Sequence, residues 1–231
     1  MRIFNQSKLN VTSLLRLVFL LVAILSFNQT IAQNKNTQID AEFQRLVEKG
    51  ALTADQASNY IITAQHTSRT SGIQHIYFSQ AINGLIVNGT ESSIHLFNGK
   101  KIKYNENLLL GDVFQVKGNS SPSITAEQAI RSVAQKMSYN ISNLVINESI
   151  GGVDQKSIFN HGGISRTDIP AKLVYQLNEN NEILLAWEFS IDDITSPADW
   201  WNFQVNASNG EIISRNNFIA ACDLGDNHDH D

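Results

Sequence analysis

The sequence predicts an α+β fold in which two units of helix packed on antiparallel β-sheet follow one another. Three observations carry this. Asn-Gly pairs at 83–84 and 98–99 each sit between strand-like runs, Ile130, Val133, Ala134 and Met137 form one apolar helical stripe, and further strand runs follow that stripe. Helix followed by antiparallel strands, twice over, places the helices on one face of each sheet.

The first segment reads as an address rather than as part of the fold. Arg2, Lys8 and Arg16 supply positive charge, Leu17 to Phe27 is almost wholly apolar, and Thr30-Ile31-Ala32 offers small residues where a signal peptidase cuts. The apolar run is shorter than the ~20 residues that span a bilayer, so a signal peptide cleaved near Ala32 is expected rather than a retained anchor. The protein is expected to be secreted or periplasmic, with no membrane association after cleavage. The pattern divides the chain into a signal peptide (1–32), a first unit (33–118), a second unit (119–218) and an acidic tail (219–231).

In the first unit, Ile39 to Lys49 and Thr53 to Gln65 read as two short helices, with Thr53 as N-cap of the second and Gly50 ending the first. From Ile73 to Asn105 the period switches to that of strands. His75 to Gln80 and Leu85 to Val87 flank Asn83-Gly84, while Ser93 to Phe97 and Lys101 to Tyr104 flank Asn98-Gly99. Asn-Gly accepts positive φ at both positions and so matches the twist of hairpin strands.

Residues 116–122 read as a polar linker. Behind it Ser123 or Thr125 caps a helix to about Tyr139, and 149–167 reads as irregular. Strands are expected at Ala171 to Leu177, Ile183 to Ile191 and Trp200 to Asn206, the last turned by Asn209-Gly210 into Glu211 to Arg215. Trp187, inside an apolar strand, is expected in the core. Trp200 and Trp201 point to opposite sheet faces, which predicts one core residue and one interface anchor.

Composition narrows the chemistry. With 42% hydrophobic residues, 17% charged residues and a formal charge of −5, the chain can bury a core and has no electrostatic bias toward nucleic acid. The single cysteine, Cys222, excludes an internal disulfide. None of the six histidines begins a His-Glu-x-x-His zinc motif, and neither a G-x-S-x-G elbow, a phosphate-binding loop nor a dinucleotide fingerprint occurs. No catalytic residue, metal site or cofactor is therefore expected. His75 and His95 lie in strand runs and can approach across the sheet, but two strand histidines without further converging ligands do not predict a metal centre. The segment Cys222 to Asp231 concentrates thiol, imidazole and carboxylate groups, yet its composition fits a solvated tail. Matches to Asn-x-Ser/Thr, such as Asn88, Asn147 and Asn206, matter only in a glycosylating host.

The stretch HIYFSQAINGLIVNGTESSIHLFNGKKI (75–102) resembles the fungalysin/thermolysin propeptide motif. Downstream, LLAWEF (184–189), DWWNFQVNASNGEIISRNNF (199–218) and Cys222-Asp223 resemble the PepSY-type second half of fungalysin-family propeptides. Asn206 stands where that family often has Asp, and the zinc-binding catalytic domain does not occur in the sequence. The resemblance implies a secreted propeptide that assists folding of a fungalysin-like zinc metallopeptidase catalytic domain and holds it inactive. Trp201, Cys222 and Asp223 are then the candidate contacts with the protease, and the Cys222 thiolate is a candidate ligand for its zinc. A freestanding secreted protease inhibitor or protein-binding module, or the product of an interrupted gene, are the alternative readings.

Overall fold

Asn36 caps the first helix, its Oδ1 accepting from the backbone N–H groups of Gln38 at 3.0 Å and Ile39 at 3.4 Å. The structure, a computed structural model, describes residues 36–108 and 116–219, all within one compact unit, Lys35–Asp231. Helix α1 (Thr37–Glu48) buries Ile39, Phe43 and Leu46 along one stripe. The helical reading of 53–65 holds only for α2 (Ala54–Ser58), which Thr53 and Gln56 close with a reciprocal capping box. Asn59 then turns extended, and Tyr60–Thr67 is strand β1. The aromatic and β-branched run Tyr60-Ile61-Ile62-Thr63 favours a strand, and pairing with a neighbour outweighs a marginal helix.

Strands β2 (Gln74–Ile82), β3 (Leu85–Ile86), β4 (Ser92–Phe97) and β5 (Lys100–Asn105) complete a five-stranded antiparallel sheet of order β1-β2-β4-β5, with β3 paired to β2. Both hairpin turns have positive φ at both central residues: 52° and 78° at Asn83 and Gly84, 49° and 73° at Asn98 and Gly99. That is the conformation Asn-Gly favours. Ile39, Phe43 and Leu46 meet Ile76, Phe78, Ile94 and Leu96 in the first core. Phe43 packs edge-on against Tyr60 and Phe78, with centroids 5.4 and 5.7 Å away.

Helix α3 (Ala126–Lys136) begins at Thr125, where a second capping box forms with Gln128. The expectation of irregular chain over 149–167 gives way to two strands, β6 (Ile146–Gly151) and β7 (Lys156–Phe159). β6 is a sheet edge with nearly every side chain in solvent, so its sequence lacks the alternation that marks a half-buried strand. With β8 (Ile169–Leu177), β9 (Ile183–Asp192), β10 (Trp200–Asn206) and β11 (Ile212–Asn217) they form a six-stranded antiparallel sheet in reverse sequence order. Ile130, Val133 and Ala134 of α3 share the larger core with Tyr175, Trp187, Phe189 and Phe203. Trp187 is buried there as expected, its Nε1–H donating to the Ile124 carbonyl at 2.9 Å.

The turn after β3 fastens the two sheets together. Leu85 and Val87 belong to the larger core, and the Asn88 N–H donates to the Tyr175 carbonyl of β8 at 2.9 Å. Asn88 Nδ2 donates to Glu188 Oε2 on β9 at 2.7 Å. Among the described residues no helix is long and apolar enough to cross a membrane. The signal-peptide segment 1–32 lies outside the described residues.

Candidate functional site

Two surface features carry chemistry. The first is where β10 meets β11. Alternation along β10 separates the two tryptophans, and the neighbouring core decides which faces in. Trp201 is half-buried, packs on the larger core and lies under the Arg215 guanidinium, 5.0 Å from its ring centroid. Trp200 is 43% exposed and meets the 55% exposed Phe218 edge-to-face at 5.6 Å. Asn217 locks this corner. Its Oδ1 accepts from the N–H groups of Trp200 and Ile219, each at 3.0 Å, while its Nδ2 donates to the Ala198 carbonyl at 2.9 Å and Asp199 Oδ1 at 3.0 Å. A rigidly held, solvent-facing aromatic pair at a sheet edge is suited to burial against another protein. Of the three expected contact residues, the structure thus places Trp201 mainly as a packing residue beside an exposed Trp200. Cys222 and Asp223 lie outside the described residues.

Asp193 braces the turn between β9 and β10. Burial pushes its carboxyl up, but hydrogen bonds from Thr195, Tyr139 and Ser196 outweigh burial and hold it below the ordinary range. The Tyr139 hydroxyl donates to Asp193 Oδ2 at 2.8 Å. This network is a structural clamp.

The second feature is a row of histidines on the first sheet, on the face turned away from α1. His66 of β1, His75 of β2 and His95 of β4 stand directly opposite one another in register, and Lys103 of β5 follows opposite His95. His75 Nδ1 and His95 Nδ1 are 2.8 Å apart. The His66 ring stacks on that of His75, with centroids 4.9 Å apart and planes 13° apart. His95 Nε2 lies 3.2 Å from Ser93 Oγ and 3.3 Å from the Asn105 amide. His95 is held below its ordinary protonation range, first by burial and then by the positive charge of His75 and Lys103.

The strand reading brings His75 and His95 together as expected. His66 escapes it because 53–65 reads as helix. Its only sequence signal is the β-branched run just before it. Among the described residues no group of three or more histidine, cysteine, aspartate or glutamate side chains converges as a metal site.

No protein-family model matches the chain. It is 23% identical over 163 residues to the extracellular metalloproteinase mep of Aspergillus fumigatus, a match covering 68% of this chain and 24% of that protein. It is 22% identical over 194 residues to the extracellular metalloproteinase mep of Aspergillus flavus, covering 79% of this chain and 30% of that protein. Among solved structures it is similar to the Bacillus megaterium YpeB C-terminal domain, with a TM-score of 0.36, 15% identity, and coverage of 80% of this chain and 66% of that one. The chain is thus distantly similar, over most of its length, to fungal extracellular metalloproteinases, and spans only 24–30% of their length.

Proposed function

We propose that this chain is an exported prodomain-type module that assists folding of a fungalysin-type zinc metallopeptidase and inhibits it, without catalysis of its own. The observation that carries this reading is the similarity to extracellular metalloproteinases, which takes up most of this chain but only 24–30% of theirs. The sequence supports it by containing no His-Glu-x-x-His, so it offers no pair of imidazoles with a carboxylate to activate a zinc-bound water. In this reading 33–118 and 119–218 are the two subdomains, and the exposed Trp200–Phe218 corner meets the catalytic domain ahead of a tail that occupies its cleft. Cys222 and Asp223 act from that tail.

The test is inhibition. Mixed with a fungalysin-like catalytic domain from the same organism, the purified chain should suppress peptide hydrolysis. Trp200→Ala should weaken this at least about tenfold, as expected for an exposed aromatic anchor, with little change in melting temperature. Trp201→Ala should instead lower the melting temperature, because it strips a packing residue. Turnover of casein by the purified chain that a point substitution in it abolishes would overturn the non-catalytic assignment. Failure to bind any co-secreted metallopeptidase at micromolar concentration would favour a freestanding binding module.

A further inference from the structure

We propose that His75 and His95 form a two-imidazole chelate for a divalent transition-metal ion of the copper(II) or nickel(II) type on the open face of the first sheet, with His66 fixing the plane of His75. The inference is independent of the proposed protease partnership. It rests on a nitrogen pair already at chelating distance, on a hydrogen-bond acceptor that suits the Nε2–H tautomer of His95, and on a sheet that holds both residues in register.

The distance comes first. Two imidazole nitrogens about 2.0–2.1 Å from one ion and at right angles across it lie about 2.9 Å apart, the bite of adjacent positions in a tetragonal site. The Nδ1 atoms of His75 and His95 are 2.8 Å apart. At that separation two ring nitrogens share one hydrogen, one donating and the other accepting. An ion about 2.0–2.1 Å from both nitrogens sits about 1.5 Å to one side of the line between them, so each ring swings to aim its lone pair there. The shared hydrogen moves to the outer Nε2 through solvent, and the neutral pair binds the ion without net proton loss.

The second consideration is the tautomer. Binding through Nδ1 requires the proton on Nε2, and metal-bound histidines generally donate that proton to an acceptor that fixes the ring. His95 Nε2 has one in Ser93 Oγ at 3.2 Å; Asn105 Nδ2, a donor 3.3 Å from the same nitrogen, makes its shorter hydrogen bond, 2.9 Å, to Ser93 Oγ instead. His75 is steadied on its other side by the stacked His66 ring. Tyr77 adds an edge-to-face contact with His95 at 6.4 Å.

The third is register. β2 is an interior strand, and His75 and His95 are direct cross-strand partners, so the pair is placed by backbone pairing rather than by loops. The register shift between Ile62 and Ala64 in β1 turns His66 onto the same face as His75, whereas unbroken alternation from Tyr60 and Ile62 would point it into the core. Lys103, in register with His95, opposes a cation there through its ammonium, a repulsion that salt screens. Both histidines are only half-buried, so water completes the coordination shell and the ion exchanges freely.

The probe is copper(II) iminodiacetate, whose chelator fills three positions and leaves adjacent ones for two imidazoles. A His228→Asn/His230→Asn background removes the other closely spaced histidine pair in the sequence. Titration at pH 7.5 should give one saturable equivalent with an electron paramagnetic resonance spectrum of two equatorial imidazole nitrogens. His75→Asn or His95→Asn should weaken it by about 100-fold, as expected when a two-point attachment becomes one-point. His161→Asn should leave it unchanged. Should a variant fail to fold, the unsubstituted chain still decides: the copper probe should protect His75 and His95, but not His161, from diethylpyrocarbonate. No saturable binding, binding indifferent to both substitutions, or absence of that protection would each overturn the proposal.

Discussion

Asn88→Asp should loosen the seam between the two sheets, and by an amount that depends on pH. Asn88 Nδ2 donates to Glu188 Oε2 at 2.7 Å, the same oxygen accepts from Gln204 Nε2 at 3.0 Å, and Lys172 Nζ lies 3.3 Å from Oε1. The substitution removes a hydrogen bond to a charged acceptor, which costs about 1.5–3 kcal/mol. It also sets a second carboxylate where that donor was, adding repulsion of about 4 kcal/mol at ~4 Å for an effective dielectric of 20, part of which Lys172 offsets. Protonation caps the sum. Holding one carboxyl neutral at pH 7, about three units above its ordinary pKa, costs about 4 kcal/mol, and the neutral acid can again donate to Glu188. The deficit at pH 7 is therefore about 3–4 kcal/mol. Because the new carboxyl titrates higher in the folded chain than in the unfolded one, the variant regains stability as pH falls, at up to about 1.4 kcal/mol per unit, with little deficit left near pH 4–5. Urea unfolding followed by tryptophan fluorescence measures this, since Trp187, Trp200 and Trp201 all belong to the second sheet. Asn88→Ala, which adds no charge, should show a smaller deficit with little pH dependence. A wild-type midpoint for Asn88→Asp at pH 7, or a deficit that does not change with pH, would refute the reasoning.

Acid should weaken the first sheet through the histidine row. His95 binds a proton less readily folded than unfolded, burial being the larger cause and His75 and Lys103 the next, so its contribution is intact above about pH 6.5 and is lost as pH falls through the lower folded value. His66, His75 and Tyr77 share that face and Lys103 closes it, with no carboxylate among these four to compensate. Between pH 7 and 5 the wild-type melting temperature should fall more than that of His95→Asn; equal slopes would remove His95 as the cause. Glu42 and Asp193, both held below the carboxylate range, weaken the fold only at still lower pH, so the windows separate. In the hairpins, Gly84→Val and Gly99→Val should each cost roughly 1–3 kcal/mol for forcing a β-branched residue to positive φ. The two costs should be similar, because a Cβ at Gly84 would rest at ordinary contact distance, 3.5 Å, from both Val153 methyls and one at Gly99 meets nothing within 4 Å, which leaves the positive φ as the shared cause. Unchanged melting of both variants would show that the turns are misassigned.

What was legible in the sequence follows from how locally each feature is determined. The Asn-Gly turns, the Thr125 cap with Gln128 three residues on, and the apolar stripe of α3 are set by neighbours within one turn of chain, and all appear where their residues predict. β1 and β6 are not local in that sense. Tyr60–Thr67 follows a genuine helix start, and only pairing with β2 decides its state. β6 earns its hydrogen bonds from β7 while leaving its side chains in water, so no periodic signal marks it.

The candidate sites depend on a still longer range of information. Alternation shows that Trp200 and Trp201 face opposite ways, but only the position of the core beneath β10 tells which one is free. The histidine row and the lysine beside it require more: two register shifts must fall on the right strands. The shift between Ile62 and Ala64 brings His66 to the face of His75, and the shift between His95 and Leu96 sets Lys103 opposite His95 and Lys101 opposite Leu96. That second shift has consequences on both faces, since Lys101 then pairs with Glu42 on α1 while Lys103 joins the imidazoles. A single bulged residue thus decides whether a lysine stabilises a buried carboxylate or raises the charge beside two histidines. A β-bulge is a property of paired strands, and one strand's sequence does not contain it.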